Sequence, residues 1–293
     1  MNKKNRVPAP DAGARYYSDV ILCCIPVLIM SVFFYGLRPL FLSFVAVVTG
    51  NLIDRLMAFL RDRRYDPHEH SSECFALVLA LMMPASVPYY VVVVAVLACD
   101  LLGKEVFGGV GCYPFHPVAV GYAIACANWP DLMFRFPLPM TRLPLYELSQ
   151  VPLIDGADMA LRKDLDLVSS CSFLAACAVF VWLFPRLGGV SFGLPWQNLG
   201  VRLTMLRYEL VANSVIFSAV FLLSEPVTRP KTRQSRIIYG VCLGVLTMLL
   251  KYHGSRETGV AFALIIMNAL SSWLDRAVML LTARKEARRL ENR

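Results

Sequence analysis

Charged residues are scarce in this chain. Asp, Glu, Lys and Arg make up only 17% of its 293 residues, whereas 57% are hydrophobic and the mean hydropathy is +0.56. A soluble domain carries about a quarter charged residues. The scarcity argues against a soluble enzyme, and the long apolar runs between the charges are typical of segments that cross a lipid bilayer.

Metal-binding cysteine patterns are also missing. The chain has nine cysteines, but no two of them form a CxxC pair, and most lie inside apolar stretches. This distribution argues against a disulfide framework and against a zinc site, and favours small buried core residues. We therefore expect no metal site and no catalytic site that belongs to this chain alone.

The net charge is +8, which by itself would suit a nucleic-acid-binding protein. A membrane protein gives the same excess, because Lys and Arg concentrate in its cytoplasmic loops. We therefore expect the protein to associate with the lipid bilayer and not with nucleic acid.

Ten apolar segments are separated by short polar stretches and by one long one. Several of the segments are short or broken by proline. They are 19–36, 39–60, 74–84, 89–106, 117–128, 168–184, 188–206, 208–224, 237–252 and 259–274.

The positions of the basic residues predict how these segments are oriented in the membrane. With ten spans and a cytoplasmic N-terminus, most Lys and Arg residues fall on the cytoplasmic side, as the positive-inside rule requires. We predict a multi-pass protein of the bacterial inner membrane with both termini in the cytoplasm. Its parts are a cytoplasmic segment (1–18), a first membrane repeat (19–128), an outer loop (129–167), a second membrane repeat (168–276) and a basic cytoplasmic tail (277–293).

The two halves resemble each other faintly. Pro84 ends the third segment and Pro226 ends the eighth, while Val118-Ala119 and Val260-Ala261 open the fifth and tenth at a similar offset. Five spans per half would make the halves inverted repeats, and interrupted segments at matching positions of such repeats point to a site near the bilayer midplane. Coincidence stays an alternative.

The first informative stretch runs from Lys104 to Ala123. It predicts a glycine-rich turn at Gly108, Gly109 and Gly111, followed by a helix that begins at Pro117. Glycines let the backbone approach a ligand or another helix, and a helix N-terminus suits phosphate or flavin carbonyl groups. Ligand contact and a packing turn both stay open.

The second stretch runs from Ser224 to Gly240. Pro226 ends a helix there, directly after the acidic Glu225 and shortly before Thr228. A Gly-Val-Ala-Phe-Ala helix with a late asparagine begins at Gly259.

Together, these stretches resemble the RnfD/NqrB family of membrane subunits in Rnf complexes and sodium-pumping NADH:quinone oxidoreductases. The order and spacing agree over nearly the whole chain, and its length favours the Rnf branch. The matching positions are Lys104, Gly108, Gly109, Gly111, Pro114, Phe115, Pro117, Gly121, Tyr122, Pro226, Val227, Thr228, Gly259 and Asn268.

The resemblance implies an all-α polytopic membrane protein with about ten transmembrane helices in two inverted five-helix repeats. It also implies the RnfD membrane subunit of a flavoprotein complex that couples electron transfer between ferredoxin and NAD to Na⁺ or H⁺ translocation, with other membrane and iron–sulfur subunits as partners. FMN is the expected cofactor, and riboflavin is a second candidate. Gly108, Gly109, Gly111, Phe115, His116, Pro226 and Thr228 are the expected cofactor-binding residues.

The chain departs from the family pattern at the flavin attachment box, which reads Ser-Gly-Ala-Thr in the family. Here Asp155 stands at the serine position and Asp158 at the position of the acceptor threonine. A carboxylate cannot form the threonyl phosphoester, so we predict that FMN is not covalently attached. His116 replaces the family's asparagine, and Glu225 replaces its aspartate.

The ion-path candidates are Asp100, Lys104 and Glu225, because ionisable residues inside a membrane are costly and usually functional. Asp100 and Lys104 are four residues apart, so they form either a pathway pair or an ordinary charge pair. Asp54 is interpreted as an interfacial anchor. Two other functions stay open: a stand-alone channel or solute transporter on the same fold, and a structural subunit without its own redox centre.

The topology can be tested directly. Because most basic residues fall on one side when ten spans are assumed, reporter fusions at Arg293 and next to Asp158 should report opposite sides of the membrane. A fusion at Arg293 that reports the outer side would contradict the ten-span topology.

Overall fold

A computed structural model of the chain describes residues 11–62, 69–134, 137, 143, 167–184, 199–211, 215–253 and 259–291. Helices account for most of these ranges, and no strand occurs within them. The all-α polytopic membrane fold predicted from the sequence is confirmed.

Eleven α-helices are found in the described ranges. In the first half they are α1 (Asp11–Tyr35), α2 (Arg38–Leu60), α3 (Ser71–Met82), α4 (Tyr89–Leu97), α5 (Pro117–Asn128) and the one-turn α6 (Pro130–Met133). In the second half they are α7 (Leu167–Leu183), α8 (Leu199–Val211), α9 (Val215–Phe221), α10 (Arg233–His253) and α11 (Gly259–Glu291).

Four of the described helices are long and apolar enough to cross a membrane. The spans are Tyr16–Tyr35, Arg38–Leu60, Arg233–His253 and Gly259–Thr282. By contrast, α3 and α5 have 12 residues each, which is about 18 Å of helix against about 30 Å of hydrocarbon. The short third and fifth segments predicted from the sequence are therefore confirmed, and the first residue of each helix, Ser71 and Pro117, is buried.

The predicted boundary between the seventh and eighth segments, at Arg207, is wrong. Helix α8 runs from Leu199 through Arg207 to Val211, and α9 is a separate short helix. Within this continuous helix, Glu209 forms a buried ion pair with Lys251 of α10, which compensates the charge of the polar stretch. The apolar pattern could not reveal that pair. Residues 188–198 lie outside the described ranges.

The predicted tail and N-terminal segment are partly helical. Helix α11 continues through most of the tail as far as Glu291, and α1 begins at Asp11, before the predicted first span. The predicted outer loop lies mostly outside the described residues. Ten crossings and the inverted relation of the two halves stay predictions.

Glycines let α7 and α10 approach each other closely. A Cβ added to Gly244 would lie 2.8 Å from the Phe173 carbonyl oxygen and 2.8 Å from the Ala176 Cβ. The Cys177 Sγ donates a 3.8 Å hydrogen bond to the Gly244 carbonyl oxygen across the same contact. Small residues at such positions let membrane helices pack backbone to backbone.

We expect Gly244→Ala to destabilise the protein, because its methyl group would push α7 and α10 apart at a cost of about 1–3 kcal/mol. Gly200→Ala is the matched control, since Gly200 lies in α8 with no atom within 4 Å of an added Cβ. Thermal unfolding in detergent, followed by size-exclusion chromatography, measures the difference. Equal melting temperatures for the two variants would contradict this packing.

Candidate functional site

The π-helical segment after α4 contributes Asp100 and Lys104 to a polar cluster, which also contains Asp54, Ser71 and Ser72. The α-helical geometry of α4 gives way to a π-helix over Ala98–Lys104 and then to a short 3-10 turn over Glu105–Phe107. Gly103 in this segment lies against α5, because a Cβ there would be 2.7 Å from the Pro117 Cα. Single π-helical turns occur frequently at functional sites.

Lys104 is held by three acceptors at the end of this segment. Its Nζ lies 3.0 Å from the Asp54 Oδ1 of α2, 2.9 Å from the Ser71 Oγ and 2.7 Å from the Ser72 Oγ at the start of α3. The residue is only 1% exposed. An ammonium group has three protons, so these contacts use all of them. Asp54, interpreted from the sequence as an interfacial anchor, is instead a partner of this buried lysine.

Asp100 lies in the same cluster but has no such partners. It is completely buried, and neither of its carboxylate oxygens has a hydrogen-bond partner among the described residues. The charged groups that act on it are Lys104, Asp54 and Glu105. The sequence left open whether Asp100 and Lys104 pair with each other. The ammonium hydrogen-bonds to Asp54 rather than to Asp100, whose carboxylate interacts with Lys104 and with the Ser72 hydroxyl only at longer range. Such weak compensation is costly in a buried site.

Glu105 and Arg61 flank this cluster. The Arg61 guanidinium lies 3.1 Å from the Glu105 Oε2, and it also hydrogen-bonds to the Glu105 carbonyl oxygen. The buried Glu105 carboxylate is thus compensated by a partly exposed arginine. Of the buried acids around Lys104 that the structure describes, Asp100 is the one whose charge lacks a direct partner.

A second polar cluster joins the two halves of the chain at Glu225. The Tyr113 hydroxyl donates a 2.6 Å hydrogen bond to the Glu225 Oε1, and the Tyr17 hydroxyl donates a 3.3 Å bond to the same oxygen. The two hydroxyls are 3.0 Å apart. The sequence stretches around Lys104 and around Glu225, which carried the resemblance, therefore meet in space through Tyr113.

His116 borders the second cluster. Its ring packs edge-on against Phe75, with the centroids 6.0 Å apart, and Phe75 also contacts both Tyr17 and Tyr113. The residue is 2% exposed, and both ring nitrogens lack a hydrogen-bond partner in the described part of the chain. A neutral imidazole offers one donor and one acceptor, so this ring can still bind a polar ligand atom.

The glycine-rich turn is present as predicted. Gly108, Gly109 and Gly111 have φ angles of 114°, 93° and 84°, which residues with a side chain rarely adopt. Gly108 and Gly111 are exposed, and Phe115 packs against Phe107 with ring centroids 6.2 Å apart. The turn leads to His116 directly before α5, whose first residue is Pro117.

The remaining expected cofactor-binding residues are divided between two regions. Pro226 is half-buried and Thr228 is buried, both in the segment between α9 and α10. Asp158, together with Asp155, lies outside the described residues. The ligand roles of all these positions stay predictions.

Sequence reasoning missed the second buried lysine. Lys251 near the end of α10 forms an ion pair with Glu209 of α8, and both side chains are 4% exposed. The sequence pattern places neither residue in the site, because Lys251 falls at the predicted end of a span. The sequence did contain one indication of this pair. Lys251 lies next to an apolar run, and the acidic Glu209 lies in another predicted membrane segment. Tyr17, Tyr113, Ser71 and Ser72 were missed because single polar residues at helix ends are common.

Comparison with known proteins covers nearly the whole chain. The model of the NQR2, RnfD, RnfE family matches residues 7–178 and 151–282. The chain is 25% identical to the D subunit of the ion-translocating oxidoreductase complex of Haemophilus influenzae (strain PittEE), over 89% of this chain and 91% of that protein.

The same subunit in Yersinia pseudotuberculosis (serotype O:1b, strain IP 31758) and in Klebsiella pneumoniae (strain 342) is also 25% identical to this chain. Each of these alignments covers 87% of this chain and 90% of the relative. Since the family model spans both membrane halves and both polar clusters, this chain belongs to the NQR2, RnfD, RnfE family.

Proposed function

We propose that this protein is the RnfD membrane subunit of an Rnf-type complex, which couples electron transfer between ferredoxin and NAD to translocation of Na⁺ or H⁺. The observation that carries the proposal is the hydrogen bond between Tyr113 and Glu225. It brings together the two sequence stretches that define the resemblance, although they are far apart in the chain. The names of the relatives support the same function.

The buried ionisable groups supply the ion-handling part of this function. Asp100, Lys104 and Glu225 are all almost completely shielded from solvent. Ionisable groups at such positions in membrane proteins usually mark ion or proton paths. An electron added nearby would favour uptake of a compensating cation in one conformation over another, which is how redox chemistry can drive transport.

Partner subunits supply the electron carriers in this proposal. Within the described ranges, no group of three or more His, Cys, Asp and Glu side chains could hold a metal ion. The iron–sulfur centres would belong to other subunits, which bind to this chain within the bacterial inner membrane.

Large apolar side chains on several helices suit contacts with such subunits or with lipid. Phe33 of α1, Phe44 and Phe59 of α2 and Trp273 of α11 are each more than half exposed. Both termini would lie in the cytoplasm.

Covalent FMN does not fit this chain. Asp158 offers no hydroxyl group for the phosphoester, and with Asp155 it would repel the flavin phosphate. FMN or riboflavin would therefore be held without a covalent bond. His116 lies beside the glycine turn, and its two ring nitrogens have no partner among the residues that the structure describes, so it is the residue best suited to contact the flavin.

A structural subunit without its own redox centre is the second candidate. The observation that favours it is the same loss of the acceptor hydroxyl at Asp158. Such a subunit would assemble with the same partners but would bind no flavin. A stand-alone channel on the same fold would need neither partners nor flavin.

The proteins that copurify with this chain distinguish the Rnf subunit from the stand-alone channel. After gentle detergent extraction, the tagged chain should copurify with other membrane subunits and an iron–sulfur protein, because electron carriers are expected in partner subunits. Mass spectrometry and the absorption spectrum of the purified sample measure this. A monodisperse homo-oligomer that conducts a small neutral solute would support the channel and contradict the proposal.

The flavin attachment can be tested on a denaturing gel. We expect no ultraviolet-excited fluorescence at the mass of this chain, because Asp158 has no hydroxyl group. The double variant Asp155→Ser with Asp158→Thr would rebuild the Ser-Gly-Ala-Thr box and should become fluorescent when a flavin transferase is present.

Asp155→Ser alone is the matched control, because it removes one charge without creating the acceptor threonine. A fluorescent band from the unaltered chain would show that another residue, such as Thr141, accepts the flavin. That result would contradict the expected non-covalent binding but not the family membership.

A further inference from the structure

Exposed cations collect where α11 passes the start of α10. Lys231 and Arg233 are exposed at this start, and Arg276 is exposed on α11. The two helices meet here, because the Lys231 main-chain amide donates a 3.0 Å hydrogen bond to the Asp275 Oδ2. None of the three cationic side chains forms an ion pair with another residue that the structure describes.

The other two cations of this segment have partners inside the protein. The charge of Arg229 acts on the buried Glu225, and the Arg236 Nε donates a 3.0 Å hydrogen bond to the Pro230 carbonyl oxygen. Between residues 226 and 282, Asp275 is the one acid that the structure describes. This end of α10 and α11 therefore carries an excess of positive charge on its surface.

The helix end itself adds to this excess. The N-terminus of a helix carries a partial positive charge, which favours acidic residues in the first turn and disfavours basic ones. The first turn of α10 contains no acid, and it contains Arg233 and Arg236 instead. An anion bound at this position would be stabilised both by the cations and by the helix end.

An apolar ridge leads from these cations along α10. Residues at positions four apart form ridges on a helix surface, and Arg233 is followed in such a row by Ile237, Val241, Val245 and Leu249. These four apolar side chains are between 36% and 45% exposed. From Ile237 to Leu249 the ridge is about 18 Å long, which is close to the hydrocarbon depth of one leaflet, about 15 Å.

We propose that Lys231, Arg233 and Arg276 bind the headgroup of an anionic phospholipid, and that one of its acyl chains lies along the ridge of α10. The exposed Trp273, one turn before Arg276 on α11, suits the boundary between headgroups and hydrocarbon. An acidic segment of a partner protein would match the cations, but it would leave the ridge without an occupant. A lipid matches both.

The side of the membrane agrees with this occupant. Glu225, next to the basic segment, accepts a hydrogen bond from Tyr17 near the start of α1, so the cations lie at the end of the protein where α1 begins. With the N-terminus in the cytoplasm, this is the leaflet whose anionic lipids attract basic segments beside the membrane. The inference goes beyond the proposed function, because it needs only the membrane location.

The first test measures lipid affinity. Native mass spectrometry of the full chain, purified with its partner subunits, should show tighter binding of phosphatidylglycerol than of phosphatidylcholine. Arg233→Gln should weaken phosphatidylglycerol binding about fivefold, as should Arg276→Gln. Arg207→Gln is the matched control and should bind as the unaltered chain does, because it removes the same charge from an exposed position of α8. Equal affinity for the two lipids, or equal binding by Arg233→Gln and Arg207→Gln, would overturn the site.

A second test separates the lipid from a free anion. Long-chain phosphatidylglycerol should raise the melting temperature of the unaltered protein, since a ligand of the native state stabilises it. Dihexanoyl phosphatidylglycerol should raise it less, because its chains are too short to cover the ridge, and inorganic phosphate should leave it unchanged. An equal rise with inorganic phosphate would overturn the lipid and indicate a phosphate site.

A partner protein at the same cations would give a different result. Loss of a subunit from the purified Arg233→Gln protein, together with unchanged phosphatidylglycerol binding, would overturn the lipid and indicate an acidic partner. Neither result bears on the proposed electron transfer, which is tested by the iron–sulfur proteins that copurify with the chain.

Discussion

The burial of the Lys104 ammonium is the interaction on which the first half of the protein depends. In a membrane, a charge that leaves water must find its partners within the chain, because lipid provides none. Lys104 finds them on two other helices, in Asp54 of α2 and in Ser71 and Ser72 of α3. These contacts explain why α3 can begin inside the protein. The α-helix that carries Lys104 becomes π-helical over the same residues.

A similar constraint holds the halves of the chain together. Glu225 lies just past the end of α9, and two tyrosine hydroxyls from the first half donate hydrogen bonds to it. Removing Tyr113 would leave the buried carboxylate short of its closest donor, which is costly. The polar segment after α9 thus forms part of the interface between the two halves. Helices α5 and α11 also contact each other between the halves. The cluster at Glu225 and the cluster at Lys104 are connected through Phe75 and the start of α3, since Phe75 packs on Tyr113.

Much of the fold could be predicted from hydropathy and proline positions, whereas the site could be predicted only in part. The fifth segment was placed correctly at Pro117–Asn128 because Pro117 starts a helix and apolar residues follow it without interruption. The boundary at Arg207 was wrong because a single sequence does not reveal that Glu209 pairs with Lys251. Asp100 and Lys104 were recognised as buried charges. The sequence did not reveal that they form no direct pair with each other. A spacing of four residues predicts a side-chain pair on an α-helix, whereas a π-helix has a different number of residues per turn.

The two buried lysines extend the likeness between the halves beyond their proline positions. Lys104 follows the fourth helix of the first half and pairs with Asp54 on the second helix. Lys251 lies near the end of α10, the fourth described helix of the second half, and pairs with Glu209 on the second, α8. If the halves are inverted, as their five-segment pattern predicts, these pairs lie at opposite ends of the membrane. Only the first pair has an unsatisfied acid of its half beside it among the described residues. An unsatisfied acid beside one of the two pairs alone would make the two ends chemically different, and transport in one direction requires such a difference.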